Sequence, residues 1–208
     1  FYSDTFNIAY EENIIERNIR LIEFSLGLNI SKKQILTKVP FLFPRKNISE
    51  IRLSKIKKNI LLIPGASFKS KCYPISSFAE FTNLYSANFF VIWGNEKEKI
   101  MANQLKILHP RLIVCKKLSI NSLISLISSM DLVVGPDTGP THIAWSLNIP
   151  SITLFGPTPG YRNTYVTNIN KIIESDSVVN PNKIDKNDIS IADSKASDLA
   201  DLSSKLLS

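Results

Sequence analysis

The chain has only two cysteines, Cys72 and Cys115, in 208 residues. That number excludes a scaffold built on disulfides, and their spacing fits no zinc motif, so a reducing compartment is the simpler setting. No apolar run approaches the ~20 residues needed to cross a bilayer, and no signal-peptide pattern is present. Internal repeats and low-complexity tracts are absent. Phe1 is not an initiator methionine, and the first residues read as mid-domain sequence, so the expectation is a fragment or a processed chain. Disorder is excluded by what is there: 44% apolar and 21% charged residues are ordinary globular values. The length fits one domain with an appended segment, and a chain of this size hides roughly 70% of its unfolded surface.

The net charge of +7 is local. Within residues 45–71, Arg45, Lys46, Arg52, Lys55, Lys57, Lys58, Lys69 and Lys71 stand against Glu50 alone, so the window carries the whole excess. Such a window attracts anions: phosphates, acidic lipid head groups or nucleic acid. The plainer alternative is a solvated face before a buried strand, which suits Lys55–Lys58.

Residues 10–27 have helical spacing in Ile15, Ile19, Ile22 and Leu26, with Gly27 as a stop. Residues 28–50, interrupted by Pro40 and Pro44, read as an irregular linker. From residue 58 short apolar runs alternate with helical stretches. The strand candidates are Asn59–Ile63, Phe89–Trp93, Leu112–Cys115, Leu132–Val134, Ser151–Phe155 and a weaker Lys171–Ile173. Between them lie helix candidates around Phe78–Tyr85, Glu96–Leu108, Ile120–Ile127 with Ser119 as N-cap, and Ile143–Leu147. A last helix is expected within Asp193–Leu207, with Asp193 as its cap. The alternation predicts an α/β fold: a Rossmann-like, doubly wound parallel sheet covered on both faces, with ligands beyond the carboxyl ends of the strands.

Four loops at those ends could carry chemistry. Pro64-Gly65-Ala66-Ser67-Phe68-Lys69-Ser70-Lys71 offers backbone amides, hydroxyls and two lysines suited to a diphosphate. It lacks the Gly-Lys-Ser/Thr ending of a Walker A loop. Gly135-Pro136-Asp137-Thr138-Gly139-Pro140-Thr141-His142 opens a helix, with Pro140 at the first helical position and Gly139 near the N-cap. Thr138 and His142, four apart, share one side of that turn, beside free amides and the positive end of the helix dipole. Asp137 could accept from sugar hydroxyls; the alternative is a capped turn with a satisfied histidine. An aspartic protease is excluded, because that Asp-Thr-Gly reading needs two such loops in an all-β barrel. Trp93-Gly94 with Glu98 suits ribose hydroxyls, or is a helix start with favourable acids. In the fourth loop, Phe155–Asn163, Arg162 could meet a phosphate or an acidic acceptor.

Together these loops resemble the lipopolysaccharide heptosyltransferases, glycosyltransferases of family 9. The likeness covers roughly residues 60–160. It rests on Pro64-Gly65-Ala66-Ser67 through Lys71-Cys72-Tyr73-Pro74, Trp93-Gly94 with Glu98, Asp137-Thr138-Gly139 with His142, and Phe155-Gly156-Pro157-Thr158. The helix ending in Leu26-Gly27-Leu28 resembles the family's stretch before its second domain.

The resemblance implies the C-terminal half of a GT-B-type two-domain enzyme. Residues 1–57 would be the interdomain helix and linker, and 58–208 the nucleotide-sugar-binding domain. The donor would be ADP-heptose (ADP-L-glycero-β-D-manno-heptose) and the acceptor Kdo-lipid A. Transfer would invert the anomeric carbon, with no cofactor and no required metal. The enzyme would be cytoplasmic, peripheral at the inner membrane surface, and would bind no nucleic acid. Carried over by position, Lys71 would meet the diphosphate, Ser67 the phosphates, and Glu98 the ribose hydroxyls. The backbone near Leu118 would touch adenine, Asp137 the heptose hydroxyls, and Thr138, Gly139 and His142 the diphosphate.

Tyr73 stands where the family usually has Trp, which keeps an aromatic ring for stacking, and Ala66 replaces a hydroxyl residue of some members. The general base would lie on the N-terminal domain; no acid in residues 1–28 matches its context, so no catalytic residue is assigned in this chain. The alternatives are a second-heptose or other family 9 transferase and a non-enzymatic nucleic-acid or anion binder using residues 45–71. The Asp137–His142 loop points to transfer of the first heptose. Against the binder, the basic window lacks interleaved aromatics on a recognisable module.

Overall fold

In a computed structural model, residues 4–44 and 51–208 are described. Arg45, Lys46 and Glu50 of the basic window lie outside the described residues. Six parallel strands form one sheet in the order β3-β2-β1-β4-β5-β6. They are β1 (Asn59–Leu62), β2 (Asn88–Val91), β3 (Ile113–Val114), β4 (Leu132–Pro136), β5 (Ser151–Phe155) and β6 (Asn170–Glu174). All six apolar runs are strands, and the fold is the expected Rossmann-like α/β sheet. Its order reverses between β1 and β4, the switch point of a doubly wound sheet.

The central strands β1, β2 and β4 are mostly apolar because both faces are covered. Ile60 and Leu62 point into one core, with Phe78 and Phe81 of α3 (Ile75–Leu84), Leu105 of α4 (Glu96–Leu108) and Leu199 of α8 (Ala196–Leu207). Leu61 and Ile63 point into the other, with Leu126 and Ile127 of α5 (Ile120–Ile127) and Ala144 of α6 (Gly139–Ser146). Ser119 caps α5 as expected, its hydroxyl accepting from the Ser122 N–H. Asp193, the expected cap of α8, instead lies in a 3₁₀ turn, Ser190–Asp193, and α8 begins at Ala196.

Before the sheet, α1 (Ile14–Leu26) starts four residues later than the expected span 10–27. Asn13 decides this: its side chain caps the helix by accepting from the Ile15 N–H at 2.9 Å. Gly27 ends it at φ 65°, a left-handed conformation that costs glycine little. The irregular linker is corrected in one place: Ser31 and Gln34 form a capping box that starts a short helix, α2 (Lys32–Leu36). A four-residue helix, α7 (Gly160–Asn163), lies between β5 and β6.

The basic window does not form one surface among the described residues. Lys55, Lys57 and Lys58 are exposed at the amino end of β1, and Lys69 and Lys71 follow its carboxyl end. Both cysteines are free thiols. Among the described residues, no helix is long and apolar enough to cross a membrane.

Candidate functional site

The carboxyl ends of β1 and β4 sit side by side at the switch point, and the chain following each brings a charge to the same place. After β1 the loop closes in a 3₁₀ turn, Lys69–Lys71, that turns Lys71 inward. After β4 comes Asp137, 7% exposed. Lys71 Nζ donates to Asp137 Oδ2 at 2.8 Å, with both side chains buried. His142, in the first turn of α6, places Nε2 3.1 Å from Asp137 Oδ1. Thr158 Oγ1 and Asn163 Nδ2 donate to Oδ2 at 3.3 and 3.0 Å.

Burial alone would raise the Asp137 pKa. The hydrogen bond to His142, the Lys71 charge and the Lys71 hydrogen bond outweigh it and hold the carboxyl well below the usual range. A carboxylate has about four lone-pair sites, and four protein groups face them here. Three of them, Lys71, Thr158 and Asn163, meet Oδ2 and His142 meets Oδ1, so Asp137 organises both Lys71 and His142.

The amino end of α6 adds the positive end of the helix dipole. Its N-cap is Thr138, one residue before the expected Gly139, which is the first helical residue. The Thr138 N–H donates to Thr141 Oγ1 at 3.3 Å, and the Thr138 hydroxyl donates to Pro136 O at 3.3 Å. An eight-residue helix entered directly from a buried strand leaves its first turn facing the strand ends.

Beside this cluster lies a cavity of about 310 Å³ lined by Gly65, Ser67, Glu98, Leu118 and Thr138, among others. Glu98 is fixed at its edge: Oε2 accepts from the Gly94 N–H at 2.6 Å, and Oε1 from Asn95 Nδ2 at 2.8 Å. A Cβ at position 65 would meet Glu98 Cγ at 2.3 Å, so a larger residue there would push the Glu98 side chain from its place. The structure thus divides the eight candidates. Lys71, Asp137 and His142 touch; Ser67, Glu98, Leu118 and Thr138 surround the cavity; Gly139 begins the helix between the two sets. Among the described residues, no three His, Cys, Asp or Glu side chains group closely enough to hold a metal ion.

Two expectations change. Tyr73 is no stacking platform for a ligand: its ring is fully buried edge-on to Phe78, and its hydroxyl donates to Ser194 O at 2.7 Å. Arg162 is engaged within the chain. It donates to Tyr10 O at 2.8 Å and to Asn163 Oδ1 at 2.9 Å, and lies over the Tyr10 ring. Thr158 and Asn163 were missed as site residues. Their signals were their place in the loop after β5, beyond a parallel strand's carboxyl end, and, for Thr158, the Phe155-Gly156-Pro157-Thr158 motif.

Comparison with known proteins agrees with this architecture. Lipopolysaccharide heptosyltransferase 1 of Campylobacter coli is 36% identical over 221 residues, covering 99% of this chain and 65% of that protein. Lipooligosaccharide heptosyltransferase 2 of Campylobacter jejuni is 33% identical over 156 residues, covering 71% of this chain and 48% of that protein. The chain therefore spans between about half and two thirds of these relatives' length. Among solved structures, Escherichia coli heptosyltransferase WaaC with ADP aligns at a TM-score of 0.73 and 18% identity, over 99% of this chain and 60% of that one. The glycosyltransferase family 9 protein of Veillonella parvula aligns at 0.73 and 16% identity, over 97% and 62%. At such identities the structural likeness speaks for the fold. Residues 1–189 match the model of glycosyltransferase family 9 (heptosyltransferase), and the chain belongs to that family.

Proposed function

We propose that this chain is the donor-binding part of an inverting heptosyltransferase of lipopolysaccharide inner-core synthesis. Residues 1–57 are its interdomain helix and linker, and 58–208 its nucleotide-sugar-binding domain. The donor is ADP-L-glycero-β-D-manno-heptose, and the acceptor is a hydroxyl of Kdo-lipid A. That acceptor is a lipid, so the reaction belongs at the cytoplasmic surface of the inner membrane.

The observation that carries this reading is the Lys71–Asp137–His142 cluster at the switch point, beside the amino end of α6. The donor's diphosphate lies between Lys71 and the amino end of α6 at Thr138 and Gly139, with Ser67 and His142 at its edges. Glu98 takes the ribose hydroxyls, and the backbone at Leu118 lies against adenine, in the cavity these residues line. In the transfer step the acceptor oxygen bonds to the anomeric carbon as the bond from that carbon to the diphosphate oxygen breaks. The bonding pair leaves with ADP. Lys71 and the helix end are placed to stabilise that growing charge in a site already ordered for it. The acceptor's proton goes to a general base outside this chain, so the chain alone binds donor and transfers no heptose.

Calorimetric titration with ADP, then UDP, each with and without EDTA, tests the reading. Binding of ADP in preference to UDP, unaffected by EDTA, is expected. Lys71→Ala should weaken ADP by about 1.5–3 kcal/mol, the loss of one charge-assisted contact. Tighter UDP binding, or no loss in Lys71→Ala, would sink it.

A further inference from the structure

Helix α6 carries the diphosphate-facing groups at one end, and its other end is held from far away in the chain. The last carbonyls of a helix need outside donors, and α6 has no basic residue in its own last turn. Lys38 supplies the cation. Its Nζ donates to Trp145 O at 2.6 Å and to Asn148 Oδ1. The Phe41 N–H donates to Ser146 O at 3.3 Å. Asn148 Nδ2 donates back to Lys38 O at 3.0 Å, so Lys38 and Asn148 clasp each other in both directions.

Three further observations mark this contact as built. Asn148 sits at φ 56°, the one non-glycine left-handed residue among those described. Asparagine tolerates that conformation just past a helix end. Lys38 Nζ lies 4.3 Å from the centroid of the Trp145 ring and 5.2 Å from that of Phe41. A cation at a helix carboxyl end also complements the helix dipole.

An eight-residue helix is only about 12 Å long, too short for its ends to move independently. Both ends also border one cavity of about 530 Å³, lined by Phe41, Trp145 and Ser146 at one side and Asp137 and His142 at the other. We propose that Lys38 is a positioning residue: by clamping the carboxyl end of α6, it sets where Thr138 and His142 stand against Asp137 and the donor's diphosphate. The inference deepens the donor-binding reading and rests on it. It makes the segment before the sheet part of the donor site's geometry.

Lys38→Met keeps most of the side chain's length and removes its charge. ADP affinity should fall about tenfold, an ordinary coupling between distant groups. The chain has two histidines, His109 and His142, so His109→Gln assigns the imidazole resonances. At one fixed pH, the His142 resonances should shift in Lys38→Met while far-UV circular dichroism stays unchanged. Lys38→Arg, which retains the cation, should recover most of the affinity and the original resonances. Unmoved His142 resonances would overturn the inference, whether or not affinity falls, because the effect would then not run through α6. If Lys38→Met does not fold, Asn148→Gly opens the clasp while keeping the left-handed backbone, and the same readings apply. Should the parent chain fail to bind ADP while His142 still responds to Lys38, the donor reading falls and the positioning role of Lys38 stands.

Discussion

Strands β1 and β4 bury every one of their residues, whereas helix α1 buries none of its thirteen. Leu21, Ile22, Phe24 and Leu26 of α1 are exposed, Leu26 by 68%. In contrast α5, with a similar apolar stripe, buries Leu126 and Ile127 against the sheet. Helical spacing therefore specified both helices without specifying how far each is covered. What attaches α1 is a handful of contacts at its amino half. Asn13 Nδ2 donates to Tyr161 O and Thr164 O at 2.8 and 2.7 Å. Tyr165 donates its hydroxyl to Glu16 at 2.9 Å, and Ile15 and Ile19 pack beside Trp145 and Tyr165. The sheet is held by area and the preceding segment by particular polar groups, so the two should respond differently to mutation.

The largest contrast should come from two apolar truncations. Phe90 is fully buried in β2, and Phe90→Ala should cost about 3–5 kcal/mol in urea unfolding, the usual penalty for a large cavity. Leu26→Ala should change stability by no more than about 0.5 kcal/mol, as exposed substitutions do. Equal losses would erase the distinction between the regions.

Asp137→Asn comes next. It leaves Lys71 buried without its anion, a loss of about 3 kcal/mol for a broken buried pair. Its pH dependence has a definite sign. The folded Asp137 pKa is depressed, so its contribution is full above the unfolded carboxylate value of about 3.9. It is lost as pH falls through the lowered folded value. The stability gap between wild type and Asp137→Asn should be complete at neutral pH and narrow in acid. A gap that widens in acid would contradict the pairing.

Asn13→Ala should cost less than Asp137→Asn, about 1–2 kcal/mol for a lost cap. It should appear as faster hydrogen exchange confined to α1. Loss of protection in the sheet as well would show that the two regions unfold as one.

Much of this molecule was legible beforehand, for reasons visible in particular residues. Strands covered on both faces are short and rich in apolar and β-branched residues, so Ser151–Phe155 stood out and has those bounds in the structure. Ser119 and the span Glu96–Leu108 were legible because helix starts carry local signals. Lys71, Asp137 and His142 were legible as candidates because each follows a parallel strand's end, but their contact was not: Lys71 and Asp137 are 66 residues apart. The misses share a cause. Arg162 had the chemistry for a phosphate and Tyr73 the ring for stacking, yet Tyr10 and the Tyr73–Ser194 contact claimed them through distant parts of the chain. Thr158, Asn163 and Lys38 carry ordinary polar groups whose partners no local pattern names.

Periodicity and capping are short-range properties, fixed by which neighbours a helix or strand places on one face. They determined the element order, the parallel α/β class and the loops where ligand chemistry lies. Which side chains meet across those loops depends on closing the sheet, which brings segments 66 and 107 residues apart to hydrogen-bond distance. That closure decided that Asp137 gathers Lys71, His142, Thr158 and Asn163, and that Lys38 completes the far end of α6.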